Sequence, residues 1–492
     1  APTGASDVPG MVRRLVAVLS DGEVAALSRK WSASPLRVAT VCSGTDAPIL
    51  GLDMLRDALY ARSGRHKIGI EHVFSCEKVK FKRDFVAATT RPALLFQDVT
   101  EVAQGEGMCH DGVRRLVPEH FNVLIAGTEC VDFSSLSTAP KGLRGGGRSA
   151  ITFWATLELA KARTPAVVLL ENVATCPARD MEQAFAEAGY VAAHTKVCTS
   201  DYLLPQSRSR CYFLFLLAGK ARFLPSSSEE TWIHTMKRLG PRRPSFPEEI
   251  PLRWTDFLLE ESDTPTAPTG KKKGRRGKPL SESLGSKWLA EVQAIEEKEG
   301  LQKYGEPGGR PYSDATAHVA ALASLPDRAK MRLDVQCKRA LQAGIDPLTV
   351  PLLWNPAQQL RFTDAGFGTD GRPRPLAPCV TPKHEWVVSA RRAPLRGAEA
   401  LALQGIRVPW EALAKFDEKQ LRDLAGNAMS TTVAAAALLA TFLTAELVEE
   451  RRSSSEKRAA STEDERGQGT KRSRIDGVLV EGKGRSLRSF MP

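Results

Sequence analysis

An apolar run, "NVLIA" (122–126), ends in a small turn and then in a cysteine, Cys130, flanked by Glu129 and Val131. A cysteine in that place can be a packing residue, a metal ligand or a nucleophile, and the residues brought near it must decide. Two other apolar runs also end in reactive groups. "AVVLLENV" (166–173) carries Glu171, and "CYFLFLL" (211–217) follows "QSRSR", where Arg208 and Arg210 project from the same side of an extended segment. Taken singly, each has a plain explanation as a core cysteine, a helix cap or a solvated strand edge. A thiol, a carboxyl and paired guanidinium groups, in order and at strand ends, are hard to explain by packing.

A second set lies upstream. The run "RVATVCS" (37–43) opens into "CSGTDAP", where Gly44 permits a tight turn and close approach of a ligand to the backbone. "IEHVFSCE" (70–77) ends in Glu77, placed to accept hydrogen bonds from ribose hydroxyls, and "ALLFQD" (93–98) ends in Asp98, placed to meet an adenine amino group. Either acid alone reads more simply as a helix cap. Together, behind the glycine turn, they favour an adenosine-containing cofactor. No GxGxxG follows the first strand and no GxxxxGK[ST] is present, which favours S-adenosylmethionine over a dinucleotide or a nucleoside triphosphate.

These groups need a scaffold that gathers strand ends. Short apolar runs alternate with helical segments such as "APILGLDMLRDALYARSG" and "AITFWATLELAKART" from Arg37 to Leu217. That alternation predicts an α/β domain, a Rossmann-like mostly parallel sheet with helices on both faces, whose ligands collect outside the carboxyl ends of the strands. Residues 218–380 lose the alternation and carry Pro/Ser clusters and the basic run "GKKKGRRGKP" (270–279); regularity returns, mostly helical, over 381–450. The polar, apolar-poor stretch 451–492 reads as a disordered basic tail, and 1–36 as an N-terminal extension.

With 492 residues the chain is too long for one core, and two or three domains are expected. Nine cysteines without a CxxC pair argue for reduced thiols inside a cell and against a disulfide framework or a zinc ribbon; no metal site is expected. A formal charge of +12 suits a polyanionic partner, or simply a solvated basic surface. No membrane-spanning apolar run or signal pattern is evident, and a start at Ala1 suggests a missing initiator.

In order, "CSGTDAP", "SCEKV", "FQDV", "GTECVDFSS", "LLENV", "QSRSRCYF", then "RRAPLRGAEALALQGI" and "LAGNAMSTTV" resemble the motifs of the cytosine-5 DNA methyltransferase family. The likeness spans about 37–217 and 384–440, and it makes 218–380 the target-recognition domain. The resemblance implies methyl transfer from S-adenosylmethionine to C5 of cytosine in double-stranded DNA. It makes Cys130 the nucleophile at C6 and Glu171 the holder of N3 and the exocyclic amine. Arg208 and Arg210 would anchor the base carbonyl or a nearby phosphate and help position the cysteine loop. Ser43, Gly44, Thr45, Glu77 and Asp98 would hold the cofactor, with Asn427 closing the pocket. "GLRGGGRS" (142–149), with Arg144 and Arg148, resembles the loop that closes over DNA.

The chain also departs from the family pattern. Glu129 stands where proline is usual, and a carboxylate there should raise the thiol pKa of Cys130, making the turn a brake that Glu129→Pro would release. Asp46 and Ala47 replace a glycine pair, which should alter how the cofactor approaches the backbone. A tRNA cytosine-5 methyltransferase is the alternative, with RNA as partner, and a catalytically weak nucleic-acid-binding member is the third reading. The basic runs at 271–278 and 471–474 suit phosphate contact, nuclear import or a solvated linker, so the nucleus is expected if the source is eukaryotic, otherwise the cytoplasm. Oligomeric state is not legible in the sequence.

Overall fold

A seven-stranded sheet positions the groups named above. In the computed structural model, which describes residues 7–31, 35–64, 68–134, 141–240, 252–260, 282–356, 365–368 and 370–448, its strands are β1 (Leu36–Val41), β2 (Ile70–Cys76), β3 (Leu94–Phe96), β4 (Val123–Gly127), β5 (Val167–Val173), β6 (Tyr190–Cys198) and β7 (Ser209–Leu217). Their order across the sheet is β3-β2-β1-β4-β5-β7-β6. The first five run parallel, whereas β7 is antiparallel to both β5 and β6. The chain reverses at β1, so that β2 and β3 lie to one side and β4 and β5 to the other, and the crevice between β1 and β4 is where an open α/β sheet binds its ligands.

The predicted strands all form, because their Val, Leu, Ile and Phe residues are covered on both faces; β7 buries six consecutive residues, Cys211–Leu216. One face packs on the helices Val8–Ala17 (α1), Ala47–Ser63 (α2) and Thr431–Thr444, and the other on Arg148–Arg163 (α3) and Ala178–Glu187. The expected N-terminal extension is therefore part of the core. Val12 and Leu15 of α1 are fully buried against the same apolar cluster as β1. The stretch Glu418–Thr444 is long and apolar enough to cross a membrane, but 89% of its apolar window is buried inside the protein, which makes it a core element. It consists of two helices, Glu418–Asn427 (α4) and Thr431–Thr444 (α5).

Within 218–380 the described residues form helices, irregular chain and the short strands Ala221–Phe223, Leu353–Trp354 and Ala377–Pro378. Trp232, Met236 and Leu239 pack into the main core, and a separate small cluster forms around Trp354 and Tyr312, which pack edge to face. The helices Glu282–Glu299 and Asp327–Gln342 are joined by a buried ion pair, Lys338 Nζ to Glu296 Oε1 at 2.6 Å. Described residues through Leu447 belong to one compact unit. The basic runs at 271–278 and 471–474 and the predicted tail lie outside the described residues.

Candidate active site

The chain leaves β4 at Gly127, and Cys130 sits in the following loop. Asn172, next to Glu171 on β5, donates from Nδ2 to Thr128 Oγ1 at 2.9 Å and ties the loop to the neighbouring strand. The first turn of α3 holds the other side: the Glu129 amide donates to Thr152 Oγ1 at 3.1 Å, the Ser149 amide to Asp132 Oδ2 at 2.8 Å, and the Asp132 amide to Ser149 Oγ at 3.0 Å. Phe133 and Ser134 amides close the turn on the Cys130 carbonyl at 3.0 and 2.9 Å. A loop bonded on both sides can aim a thiol without the stiffness of a proline.

Glu171 and Arg210 meet beside this loop, with Arg210 Nε 3.1 Å from Glu171 Oε1. The distance is that of an ion pair, but the N–H is not aimed at the oxygen, and Oε1 is buried without a hydrogen bond. A buried carboxyl in that condition has capacity for a ligand. Burial pushes the Glu171 pKa up, with Arg210 and Arg208 pulling back, so its neutral form persists above the usual carboxylate range. Burial also pushes up the Cys130 thiol; Glu171 adds to the rise, Arg210 and Arg208 oppose it, and Glu129 adds less than any of these. The effect expected of Glu129 thus has the expected sign, but burial and Glu171 outweigh it. Glu171→Gln should therefore speed iodoacetamide labelling of Cys130 at neutral pH and Arg210→Ala should slow it, because below the pKa the thiolate fraction follows that balance. Peptide mass spectrometry checks this, and the opposite order would contradict the assignment of charges.

The two arginines divide their work. Arg208, 3% exposed, donates to the carbonyls of Val380 at 2.9 Å and Ala428 at 2.8 Å, and to Gly426 at 3.4 Å. It clamps backbone through its two terminal nitrogens, with Nε buried and without a hydrogen bond, an arrangement that gives it a positioning role. Arg210 alone of the pair faces Glu171. Both approach Cys379 Sγ, at 3.5 and 3.8 Å. Burial alone would raise the Cys379 pKa, but the two guanidiniums outweigh it and lower it. Gln206, of the same motif, accepts from the Val380 amide at 3.1 Å and donates to the Leu403 carbonyl at 3.0 Å. The closing motif packs tightly here: a methyl group on Gly426 would lie 2.1 Å from Pro382 N. Gly426→Ala should cost about 1–3 kcal/mol or more, read as a lowered urea midpoint; an unchanged midpoint would contradict the packing.

On the cofactor side, Glu77 receives the amides of Gly44 and Val79, each at 2.9 Å, and keeps acceptor capacity on both oxygens. Gly44 adopts φ +57°, where a side chain would be strained, and its open face looks toward the Asn427 carbonyl. Asn427 is exposed, and its Nδ2 donates to the Asp423 carbonyl at 2.9 Å. Ser43 serves the scaffold: its Oγ lies 2.7 Å from Thr40 Oγ1 and accepts from the Cys76 amide at 3.2 Å. Thr45 Oγ1 is buried and has no partner. Asp98 caps the helix Val99–Ala103 through the Thr100 amide and meets Lys78 Nζ at 2.9 Å. Burial would raise the Asp98 pKa, but the hydrogen bonds from Lys78 and Thr100 win and lower it.

The Asp46 substitution proves to be internal. Asp46 is fully buried, takes a left-handed backbone (φ 52°), and accepts hydrogen bonds from Ser75 Oγ at 2.6 Å, Thr40 Oγ1 at 2.7 Å and Thr90 Oγ1 at 2.9 Å. Three hydroxyls hold the conformation that a glycine would adopt without help, and the carboxylate is committed to them.

The sequence profile of the C-5 cytosine-specific DNA methylases matches residues 60–440. The chain belongs to this family. It is 34% identical over 440 residues to the DNA (cytosine-5-)-methyltransferase DMT5 of Cryptococcus neoformans var. grubii, covering 87% of this chain and 18% of that protein. It is 25% identical over 459 residues to DMT5 of Verticillium dahliae, covering 80% of this chain and 19% of that protein. The chain thus spans about a fifth of the length of these relatives. Among solved structures, the S. pombe Dnmt2 methyltransferase aligns with a TM-score of 0.44 and 14% identity, covering 83% of this chain and 98% of that one.

For a C-5 cytosine-specific methylase, the site residues that the sequence could not single out are those acting across distance. Cys379, 169 positions beyond Arg210, lies in no recognised motif. Ser149 and Thr152 resemble ordinary helix residues until their bonds to the cysteine loop are seen.

Proposed function

We propose that this chain transfers a methyl group from S-adenosylmethionine to C5 of cytosine in double-stranded DNA through a covalent Cys130–C6 adduct. The convergence of Cys130, the under-bonded Glu171 carboxyl and Arg210 at neighbouring strand ends carries this reading. The cofactor fits the residues present. Glu77 and Asp98 offer acceptors for ribose hydroxyls and an adenine amine, Gly44 leaves room at the turn, and the orphaned Thr45 hydroxyl awaits a partner. When bound, S-adenosylmethionine supplies an electrophilic methyl group.

This chain's own residues do the remaining work. The Cys130 thiolate adds to C6 and makes C5 nucleophilic, which the intact aromatic ring does not allow. Glu171, whose burial makes it take up a proton more readily than an exposed carboxyl, donates that proton's hydrogen bond to N3 once the base is bound while its second oxygen accepts from the exocyclic amine, so that charge pushed into the ring is stabilised. Arg210 fixes that carboxyl, and Arg208 fixes the backbone behind it. The base must leave the duplex to reach these groups, at a cost of a few kcal/mol.

Duplex DNA is favoured over tRNA by the long 218–380 region, while the +12 charge suits either polyanion. The test is duplex DNA carrying 5-fluorocytosine, in which fluorine cannot leave as a cation and the adduct persists. A denaturation-resistant complex mapped to the Cys130 peptide is expected; cofactor-dependent methylation without such a complex would contradict the covalent route.

A further inference from the structure

Cys379 meets both arginines of the site, yet the steps above give it nothing to do. Its place is set by backbone. Ala377–Pro378 pairs in parallel with Gln206–Ser207, and the Val380 amide donates to Gln206 Oε1 at 3.1 Å. The chain at 379 therefore runs beside the segment that carries Arg208 and Arg210. Cys379 Sγ lies 3.5 Å from Arg208 Nη1 and 3.8 Å from Arg210 Nη2, and both guanidiniums donate to it.

The second of these contacts matters because of how Arg210 is otherwise held. Its Nη1 donates at 2.7 Å to the carbonyl of Ser209, the adjacent residue, and a bond so local leaves the side chain room to pivot. Its Nε stands 3.1 Å from Glu171 Oε1 without aiming the N–H at that oxygen. The Nη2 arm reaches across to a group fixed by a different part of the fold. A guanidinium is rigid and planar, so pinning two of its nitrogens sets where the third one points.

Arg208 steadies the sulfur from its own anchorage on the carbonyls of Val380 and Ala428. The two guanidiniums repel each other, and Cys379 Sγ is the acceptor they share. Between them they make the thiolate easier to form, and hydrogen bonds from a charged donor to a charged acceptor are the strong ones.

Resting on the methylase reading, we infer that Cys379 is a positioning residue that holds the Arg210 guanidinium in the plane presenting Nε to Glu171. The carboxyl that meets the base is thereby fixed through two links, sulfur to guanidinium and guanidinium to carboxyl. Cys379 belongs to the region 218–380, so one part of the site's geometry is set from outside the strand ends.

The test compares three variants in methyl transfer to duplex DNA. Cys379→Val keeps the bulk and removes the acceptor. Its kcat should fall about tenfold, within the roughly 100-fold that a misplacement of about 1 Å can cost. Its affinity for S-adenosylmethionine, read by calorimetric titration, should not change. Cys379→Ser, whose hydroxyl still accepts a hydrogen bond, should lose less than Cys379→Val. In an Arg210→Ala chain, Cys379→Val should cost nothing further, because the group it positions is already gone. Losses that multiply in the double variant would overturn the inference, as would a serine variant as impaired as the valine one. Lost cofactor affinity in Cys379→Val would overturn it too, making Cys379 a packing residue of the whole fold. Absence of methyl transfer by the unaltered chain would instead remove the methylase reading, and the inference with it.

Discussion

Replacing Cys130 with alanine is expected to abolish the covalent adduct and to lower methyl transfer by at least about three orders of magnitude, the scale on which nucleophile deletions act. The fold should be little affected. Cys130 is only partly buried, and the loop around it is held through its carbonyl and through Thr128, Glu129 and Asp132, none of which involves the thiol. Cofactor affinity should also survive, since Gly44, Glu77 and Asp98 are tied to β1, β2 and β3. Calorimetric titration with S-adenosylmethionine separates these effects. A variant that binds the cofactor yet transfers nothing is the expected outcome, and residual turnover near that of the unaltered chain would place the nucleophile elsewhere.

Replacing Arg208 with alanine should produce the largest loss of stability, about 3 kcal/mol or more, because hydrogen bonds from a charged donor contribute about 1.5–3 kcal/mol each and the abandoned acceptors stay buried. The orphaned carbonyls would be those of Val380, Gly426 and Ala428, where the closing motifs meet the sheet. Lysine should not rescue the loss, since one ammonium on a flexible stem cannot reproduce the planar fork that reaches two segments at once. Urea unfolding measures the effect. Arg210→Ala provides the contrast: it should cost less stability but more activity, since Arg210 faces Glu171 and its side chain, 16% exposed, is less enclosed than that of Arg208. Equal behaviour of the two variants would contradict the division of labour.

Much of the scaffold was legible because burial on both faces leaves continuous apolar runs such as "YFLFLL" (212–217). The strand Tyr190–Cys198 was not, because it is an edge strand in which buried Tyr190, Ala193, Thr195 and Val197 alternate with exposed or half-buried residues, among them His194 and Lys196. The N-terminal helix showed apolar spacing at Val8, Met11, Val12, Leu15 and Val16, but nothing in the sequence says that its apolar stripe packs on the main core. At the site, Cys130, Glu171 and Arg210 were found where strand ends place them. Arg208 was grouped with Arg210 because alternation puts both on one side of a strand; a break between Gln206–Ser207 and β7 carries its guanidinium into the interior. Asp46 read as an intrusion on the cofactor because its partners Thr40, Ser75 and Thr90 are distant in sequence.

The most direct test of the central claim is transfer of labelled methyl from S-adenosylmethionine to duplex DNA and, in parallel, to total tRNA, with Cys130→Ala as the control. Label in DNA that disappears in the variant is the expected result. Label in tRNA alone, or none in DNA while the cofactor remains bound, would contradict it.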